Sequence, residues 1–220
     1  MKIKAVIFDL DGTLIDSMKC WENVDNIFLL ENGIIPPAGI SDIMKKLSMK
    51  ESADYFIKLG VKMHPDAINE RIEQIVYNEY ANLIPLKKYA CQILDVLDHY
   101  KIPYCVATAN YRSLTDVILK RHGIYDRFRF IYTCEENGVK KDEPSFFTDV
   151  SRLLGTYPEC TAVLDDSFHC IRTSKNSGFF TVAVFDQTST DWEQCCKWAD
   201  MSVTDLYEFA EFINTMHQYI

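Results

Sequence analysis

Short runs of apolar residues alternate along the chain with segments in which apolar residues recur every three or four positions. Continuous apolar runs are typical of parallel strands that are buried on both faces, whereas the longer recurrence is typical of helices that bury one face. The runs predict strands at residues 5–8, 104–107, 130–132, 161–164 and 181–185. The recurrence predicts helices at residues 91–97 and 114–122 and from Ser145 onwards. Strands and helices in repeated alternation predict an α/β fold with a parallel sheet.

Residues 17–84 interrupt this alternation, because they follow the first strand and contain no convincing strand of their own. Helical patterns cover residues 21–30, 49–59 and 66–80. Ser48 and Glu51 have the spacing of a capping box, which marks the start of a helix. We therefore expect a helical domain at residues 17–84, inserted into a core domain that is formed by residues 1–16 and 85–220.

Composition and charge restrict the classes of partner. A chain of 220 residues that is 48% hydrophobic and 25% charged is typical of a globular protein, and a net charge of −9 argues against nucleic acid as the main partner. No apolar stretch approaches the roughly 20 residues that cross a bilayer. The first apolar stretch ends at Asp9, which is too early for a secretory signal. We expect a cytoplasmic protein without a membrane partner, and its oligomeric state is left open.

The first strand runs directly into two acidic residues. Asp9 and Asp11 are separated by one residue, and a turn eased by Gly12 could aim both carboxylates at one ligand. Ligands of open parallel sheets bind at the carboxyl ends of the strands. One carboxylate there could attack a substrate while the other donates and accepts protons. The same residues are equally typical of a plain strand-ending turn, so both interpretations stay open at this point.

Two further segments carry groups that suit an anionic ligand. The strand at 104–107 is followed by Thr108, Ala109 and Asn110, whose hydroxyl and amide groups suit a phosphate. An ordinary helix N-cap accounts for these residues as well. Lys141, in a lysine pair before the helix at Ser145, could neutralise a phosphoryl oxygen, although exposed lysines are usually solvated.

Adjacent acids end the strand at 161–164. Asp165 and Asp166, together with Asp9 and a backbone carbonyl, offer the hard oxygen ligands that Mg²⁺ prefers. The alternative is a helix N-cap at Asp166 or Ser167. The four segments together favour the functional interpretation, because all of them lie at the ends of predicted strands in one parallel sheet.

The run from Asp9 to Ser17, Asp-Leu-Asp-Gly-Thr-Leu-Ile-Asp-Ser, resembles the first motif of the haloacid dehalogenase superfamily. The other three motifs of that superfamily resemble, in order, Thr108, Lys141 with Pro144, and Asp165-Asp166-Ser167. The nearest resemblance is to its β-phosphoglucomutase and phosphoglycolate phosphatase branch. It implies a three-layer Rossmann-like core with a parallel sheet, and a helical cap at residues 17–84.

By that resemblance, Asp9 would attack phosphorus to give an aspartyl-phosphate. Asp11 would protonate the leaving oxygen and then activate water. Mg²⁺ would be held by Asp9, the backbone carbonyl of Asp11 and Asp166. Asp165 stands where relatives usually have Gly or Glu, and it would lie near the metal or replace a direct ligand.

The resemblance also implies that Thr108, Ala109 and Lys141 bind the transferring phosphoryl group. The function implied is a Mg²⁺-dependent phosphatase that hydrolyses a small phosphate monoester such as a sugar phosphate. One alternative is a phosphosugar mutase of the β-phosphoglucomutase type. Another is a non-catalytic module that binds a phosphorylated metabolite, which would be expected to lack the nucleophile or a metal ligand.

The cap residues are harder to assign to substrate. Trp21 could contact substrate, but packing inside the cap is the interpretation that we favour. The lysines at positions 45, 46 and 50 could meet a second anionic group, and a solvated face is again the favoured interpretation.

Overall fold

A computed structural model describes residues 3–44, 47 and 49–218. The chain divides into two compact units, which are Met1–Asp16 with Pro85–Ile220, and Ser17–Ile84. We call the first the sheet unit and the second the helical unit. No helix in the described part of the chain is long and apolar enough to cross a membrane.

Within the described residues, the sheet unit contains one sheet of six parallel strands in the order β3-β2-β1-β4-β5-β6. The strands are β1 Ala5–Phe8, β2 Tyr104–Thr108, β3 Ile131–Thr133, β4 Thr161–Asp165, β5 Phe180–Val184 and β6 Met201–Val203. Every residue of β1, β2 and β4 is buried, which explains their continuous apolar runs. The predicted α/β fold with a parallel sheet is confirmed.

The edge strand β6 is absent from the strands predicted above. It has only three residues, and Ser202 at its centre is exposed. So short a segment, interrupted by a polar side chain, has no apolar run that could be recognised as a strand.

The helical unit contains α1 Met18–Glu31, α2 Ile40–Met44, α3 Met49–Lys58 and α4 Pro65–Asn78. A π-helical turn at Glu79–Leu83 follows α4, so the range 66–80 is helical as predicted, and its last two residues belong to the π-helical turn. The short helix α2 was not predicted. Lys45, Lys46 and Ser48 lie outside the described residues. The predicted capping box includes Ser48 and therefore also lies outside them.

Aromatic side chains form the interior of the helical unit. The rings of Phe28 and Phe56 meet at 4.8 Å between centroids, and both side chains are fully buried. Trp21 Nε1 donates a hydrogen bond to the Tyr80 hydroxyl at 3.0 Å. Trp21 thus has a packing partner inside its own unit, while Lys50 is exposed.

The helices of the sheet unit flank the sheet in a three-layer Rossmann-like arrangement. They are α5 Ala90–His99, α6 Arg112–Arg121, α7 Cys134–Asn137, α8 Pro144–Leu153, α9 Phe168–Asn176, α10 Trp192–Trp198 and α11 Leu206–Gln218. Ala5 and Ile7 of β1 pack in one apolar cluster with Phe146 and Phe147 of α8. Because successive strand residues point to opposite faces, the other half of β1 faces the opposite layer. This burial on both sides fixes β1 and therefore the position of the residues that follow it.

Candidate active site

Asp9 is the first residue after β1. Its N–H donates to the Leu164 carbonyl at 3.0 Å, so its backbone continues the pairing between β1 and β4. The residue is only 7% exposed. The nucleophile expected from the sequence is thus a buried carboxylate on a rigid element.

The turn after β1 depends on glycine at position 12. Gly12 has a φ of +78°, in the left-handed region that favours glycine. A Cβ atom at this position would lie 2.3 Å from Asp166 Oδ2. The turn therefore brings the backbone of the first motif against the Asp166 carboxylate, which only a residue without a side chain allows.

Three carboxylates converge at the carboxyl ends of β1 and β4. Asp9, Asp165 and Asp166 each offer one oxygen, and these oxygens lie within 4.8 Å of one another. All three residues are buried, with Asp166 the most exposed at 9%. Among the described residues, the Asp11 carboxylate is not part of this cluster, and the structure places it elsewhere, as described below.

Lys141 lies between two of these acids. Its Nζ is 2.5 Å from Asp9 Oδ1 and 2.7 Å from Asp165 Oδ2. The Ser167 N–H donates to the other Asp165 oxygen, Oδ1, at 3.0 Å. Asp165 is thus held by backbone on one side and holds the lysine on the other. Lys141, which could have been a solvated surface residue, is buried in the site.

The charges in this cluster do not balance. Burial raises the pKa of Asp166, and the neighbouring Asp165 carboxylate raises it further. Burial likewise raises the pKa of Asp9, although Lys141 opposes this. Burial by itself would lower the pKa of Lys141, but Asp165 and Asp9 hold that pKa well above its ordinary value. One ammonium group therefore faces three carboxylates that repel one another.

This donor set fits a hard divalent cation. Carboxylate oxygens are the ligands that Mg²⁺ prefers, and a cation would offset the excess negative charge. The close approach of Asp166 to Gly12 shows that the chain is shaped to hold this carboxylate against the backbone of the first motif.

The end of β2 lies beside Asp11. Asn110 Nδ2 donates to Asp11 Oδ2 at 2.8 Å, and the Asn110 N–H donates to Thr108 Oγ1 at 3.0 Å. Thr108 is buried, whereas Ala109 is exposed. Helix α6 begins only at Arg112, so Thr108 is not its N-cap.

The capping alternative at the end of β4 holds for Ser167, which is the N-cap residue of α9, although its side chain makes no capping hydrogen bond. The Asp166 carboxylate belongs to the acidic cluster instead.

Two features of this edge were not assigned a role from the sequence. Asn110 lies in a segment that was expected to bind phosphate, but the sequence assigned this residue no individual role. Asp186 follows β5, is 1% exposed and pairs with Lys87 Nζ at 2.5 Å. A polar residue directly after a predicted strand is the signal that pointed to Asp9 and Asp165, and it would have pointed to Asp186.

Comparison with known families identifies the chain. The sequence profile described as "Haloacid dehalogenase-like hydrolase" matches residues 6–184, which is most of the chain. The chain belongs to this family. The predicted family and the prediction that the chain is a hydrolase are therefore confirmed.

Several known proteins are similar to the chain over most of its length. Hexitol phosphatase A of Escherichia coli is 25% identical over 84% of each chain. The β-phosphoglucomutase of Bacillus subtilis is 24% identical over 83% of each chain. A crystal structure from Thermotoga maritima, provisionally described as a β-phosphoglucomutase, superposes with a TM-score of 0.84 at 17% identity, covering 99% of this chain and 100% of that one. The last comparison supports the fold.

Proposed function

We propose that the protein is a Mg²⁺-dependent phosphatase that hydrolyses a small phosphate monoester, such as a sugar phosphate, through an aspartyl-phosphate. The observation that carries the proposal is the convergence of Asp9, Asp165 and Asp166, with buried Lys141 in contact with the first two. It supplies a fixed carboxylate, hard ligands for a cation and a positive charge for phosphate. Phosphoryl transfer depends mainly on positioning and on charge neutralisation. The similarity to a named hexitol phosphatase supports this reaction class.

In the first half of the reaction, an Asp9 carboxylate oxygen forms a bond to phosphorus. The bond from phosphorus to the ester oxygen breaks, and its electron pair stays on that oxygen. The leaving oxygen takes the proton of Asp11 and departs as an alcohol. Asp9 now carries the phosphoryl group, and Asp11 is a carboxylate.

In the second half, Asp11 accepts a proton from a water molecule whose oxygen bonds to phosphorus. The bond between Asp9 and phosphorus breaks, and its electron pair returns to the Asp9 carboxylate. Inorganic phosphate leaves, and both acids regain their starting forms. Lys141 and Thr108, with the backbone amide of Ala109, hold the phosphoryl oxygens through both halves.

The residues proposed to hold Mg²⁺ are Asp9, the backbone carbonyl of Asp11, and Asp166. When bound, the ion would neutralise negative charge on the phosphoryl oxygens. Asp165 supplies an oxygen near the others, but its contacts with Lys141 and the Ser167 N–H favour a role in holding the lysine. The helical unit, residues 17–84, is the part proposed to act as the cap that selects the substrate.

Phosphate release from a panel of phosphate monoesters, with Mg²⁺ and with EDTA, tests this proposal. We expect release to require Mg²⁺ and to fall by about 10⁴-fold or more in Asp9→Asn, because the amide is a far poorer nucleophile. Asp126→Asn changes an exposed acid of the same unit in the same way and should leave the rate intact. An Asp9→Asn protein that retains most of the activity would contradict the assignment of the nucleophile.

A phosphosugar mutase is the second candidate, because the chain is also similar to a named β-phosphoglucomutase. In that reaction the aspartyl-phosphate returns its phosphoryl group to a sugar hydroxyl instead of water. Product analysis with glucose 1-phosphate distinguishes the two functions. Glucose 6-phosphate without free phosphate would favour the mutase, and free phosphate with glucose would favour the phosphatase.

A further inference from the structure

The side-chain amide of Asn110 is fixed at both of its ends. Its Oδ1 accepts a hydrogen bond from the Tyr111 N–H at 2.7 Å, and its Nδ2 donates to Asp11 Oδ2 at 2.8 Å. A backbone N–H can only donate, so the amide oxygen must face Tyr111. The NH₂ group must then face Asp11. Asn110 is 8% exposed, so this orientation is set by protein groups.

The consequence concerns the two oxygens of Asp11. In the acid form of a carboxyl group, one oxygen carries the proton and the other is the better acceptor, so an NH₂ group that donates to Oδ2 favours the proton on Oδ1. We propose that Asn110 is a positioning residue that distinguishes the two oxygens of Asp11, with Oδ2 as the anchored acceptor and Oδ1 as the atom that carries the proton. This inference rests on the proposed function, in which Asp11 is the acid and base.

The proton balance then becomes specific to one atom. In the first half-reaction, the proton moves from Asp11 Oδ1 to the leaving oxygen, which has received the electron pair of the broken bond to phosphorus. In the second, the attacking water returns a proton to Oδ1 while the bond between Asp9 and phosphorus breaks. Asp11 Oδ2 keeps the Asn110 hydrogen bond throughout, so the carboxylate need not rotate between the two halves.

The same turn also orients Thr108. The Asn110 N–H donates to Thr108 Oγ1 at 3.0 Å, and it thereby uses a lone pair of the hydroxyl oxygen. The Thr108 hydroxyl hydrogen is then available for an anionic acceptor. Asn110 thus contacts both Asp11, the proposed acid and base, and Thr108, which is proposed to bind the phosphoryl group.

Two substitutions separate this role from a role in shaping the turn. Asn110→Asp keeps an oxygen that can accept from the Tyr111 N–H, but it replaces the donor that faces Asp11 with a second carboxylate oxygen. Asn110→Ala removes both contacts. If Asn110 only shapes the turn, Asn110→Asp should keep the activity and Asn110→Ala should lose it. If Asn110 positions Asp11, both variants should lose activity.

The readout is the dependence of kcat/KM on the leaving group. This constant covers the steps up to departure of the leaving group, so breakdown of the aspartyl-phosphate does not affect it. The substrates are 4-nitrophenyl phosphate, whose leaving oxygen needs little protonation, and the alkyl phosphate that wild-type protein hydrolyses best. We expect both variants to lose about 10²-fold with the alkyl ester, the usual contribution of a positioned acid, and less than about fivefold with the aryl ester.

Asn214→Asp, the same chemical change on α11, controls for the added negative charge and should leave both constants unchanged. Equal losses with the two esters, or an Asn110→Asp protein that behaves as wild type, would overturn the inference while the phosphatase stands. Wild-type protein that hydrolyses neither ester would overturn the proposed function and this inference with it. If one variant fails to fold, the other still gives the ratio that decides.

Discussion

Buried carboxylates occur in both units, but they are accommodated differently. In the sheet unit, Asp9 and Asp165 share Lys141. In the helical unit, Asp25 of α1 is 8% exposed, and burial alone raises its pKa to about 6. The first arrangement keeps charges in place by pairing them. The second keeps a single acid whose burial favours the protonated form.

The comparison indicates what each acid contributes. Parallel strands that are buried on both faces leave the residues after them little freedom, so mutually repelling acids can be held together where β1 and β4 end. Such a cluster costs stability and suits binding of a cation or an anion. Within the described part of the chain, no ion pair accompanies the burial of Asp25, and we expect the cost of this burial to be measurable as pH-dependent stability.

Replacing Lys141 by methionine should have the largest effect. The Asp9 and Asp165 carboxylates would remain buried without their counter-charge, which typically costs about 3–5 kcal/mol in the free energy of unfolding. Phosphate release should fall by about 10²–10³-fold, because a stabilising contact to the phosphoryl group is lost. Urea unfolding in EDTA measures the first effect.

Lys140→Met is the matched control, since Lys140 is exposed. It should change neither quantity beyond small surface effects of about 0.5 kcal/mol. If Lys141→Met were as stable as Lys140→Met, the ion pairs would not hold the cluster together.

Gly12→Ala tests the approach of Asp166 to the first motif. The new Cβ would lie 2.3 Å from Asp166 Oδ2 in a backbone with a φ of +78°. We expect a loss of about 1–3 kcal/mol from backbone strain and displacement of the carboxylate, and weaker Mg²⁺ binding by calorimetry. The matched control is Gly155→Ala, where φ is +73° and no atom lies within 4 Å of the added Cβ.

Gly155→Ala has nearly the same unfavourable positive φ as Gly12→Ala, but its added Cβ does not clash with a neighbouring atom. Gly12→Ala should therefore lose more stability than Gly155→Ala, and Gly155→Ala should keep its Mg²⁺ affinity. Equal Mg²⁺ affinities in the two variants would show that Asp166 does not depend on the space at Gly12.

Asp25→Asn should have the smallest effect, and it should stabilise the protein. The pKa of Asp25 is about 6 in the folded state against an ordinary value of 3.8, so the folded state binds more protons between these values and wild-type stability falls as pH rises through this window. Asparagine does not titrate, so the variant does not lose this stability as pH rises. After allowance for solvent screening, we expect a gain of about 1 kcal/mol at neutral pH.

The gain should disappear below the ordinary pKa of an aspartate, where the wild-type carboxyl group is protonated in both states. Urea unfolding near pH 3.5 and near pH 7.5 measures the difference. Asp54→Asn, an exposed acid on α3, is the control. A gain that does not change with pH would point to helix propensity or packing instead of burial of the charge.

Within each unit, long buried elements are easier to predict from the sequence than short ones. Buried strands such as β1 and β4 have continuous apolar runs, and the polar residues after them are visible as interruptions. Edge strand β6 and the short helix α2 have no such pattern, because each is short and buries only a few side chains. Predicted helices in both units differ from the observed ones by a few residues at their ends, as the π-helical turn after α4 shows.

Within the candidate site, the sequence places residues and not their contacts. Asp9 and Asp166 are expected near one another because adjacent parallel strands end at one edge. That Asp165 holds Lys141 depends on the path of the loop before α8, which no periodicity reveals. The contact of Asn110 with Asp11 likewise depends on the conformation of a turn.

The most direct test of the central claim is to trap the phosphorylated residue. Protein quenched in acid during turnover of its best substrate with Mg²⁺ would be digested and analysed by mass spectrometry. The account predicts one phosphoryl group on the Asp9 side chain, and none in the Asp9→Asn protein. A phosphoryl group on a different residue, or turnover by wild-type protein with no phosphorylated aspartate under conditions that preserve acyl phosphates, would contradict it.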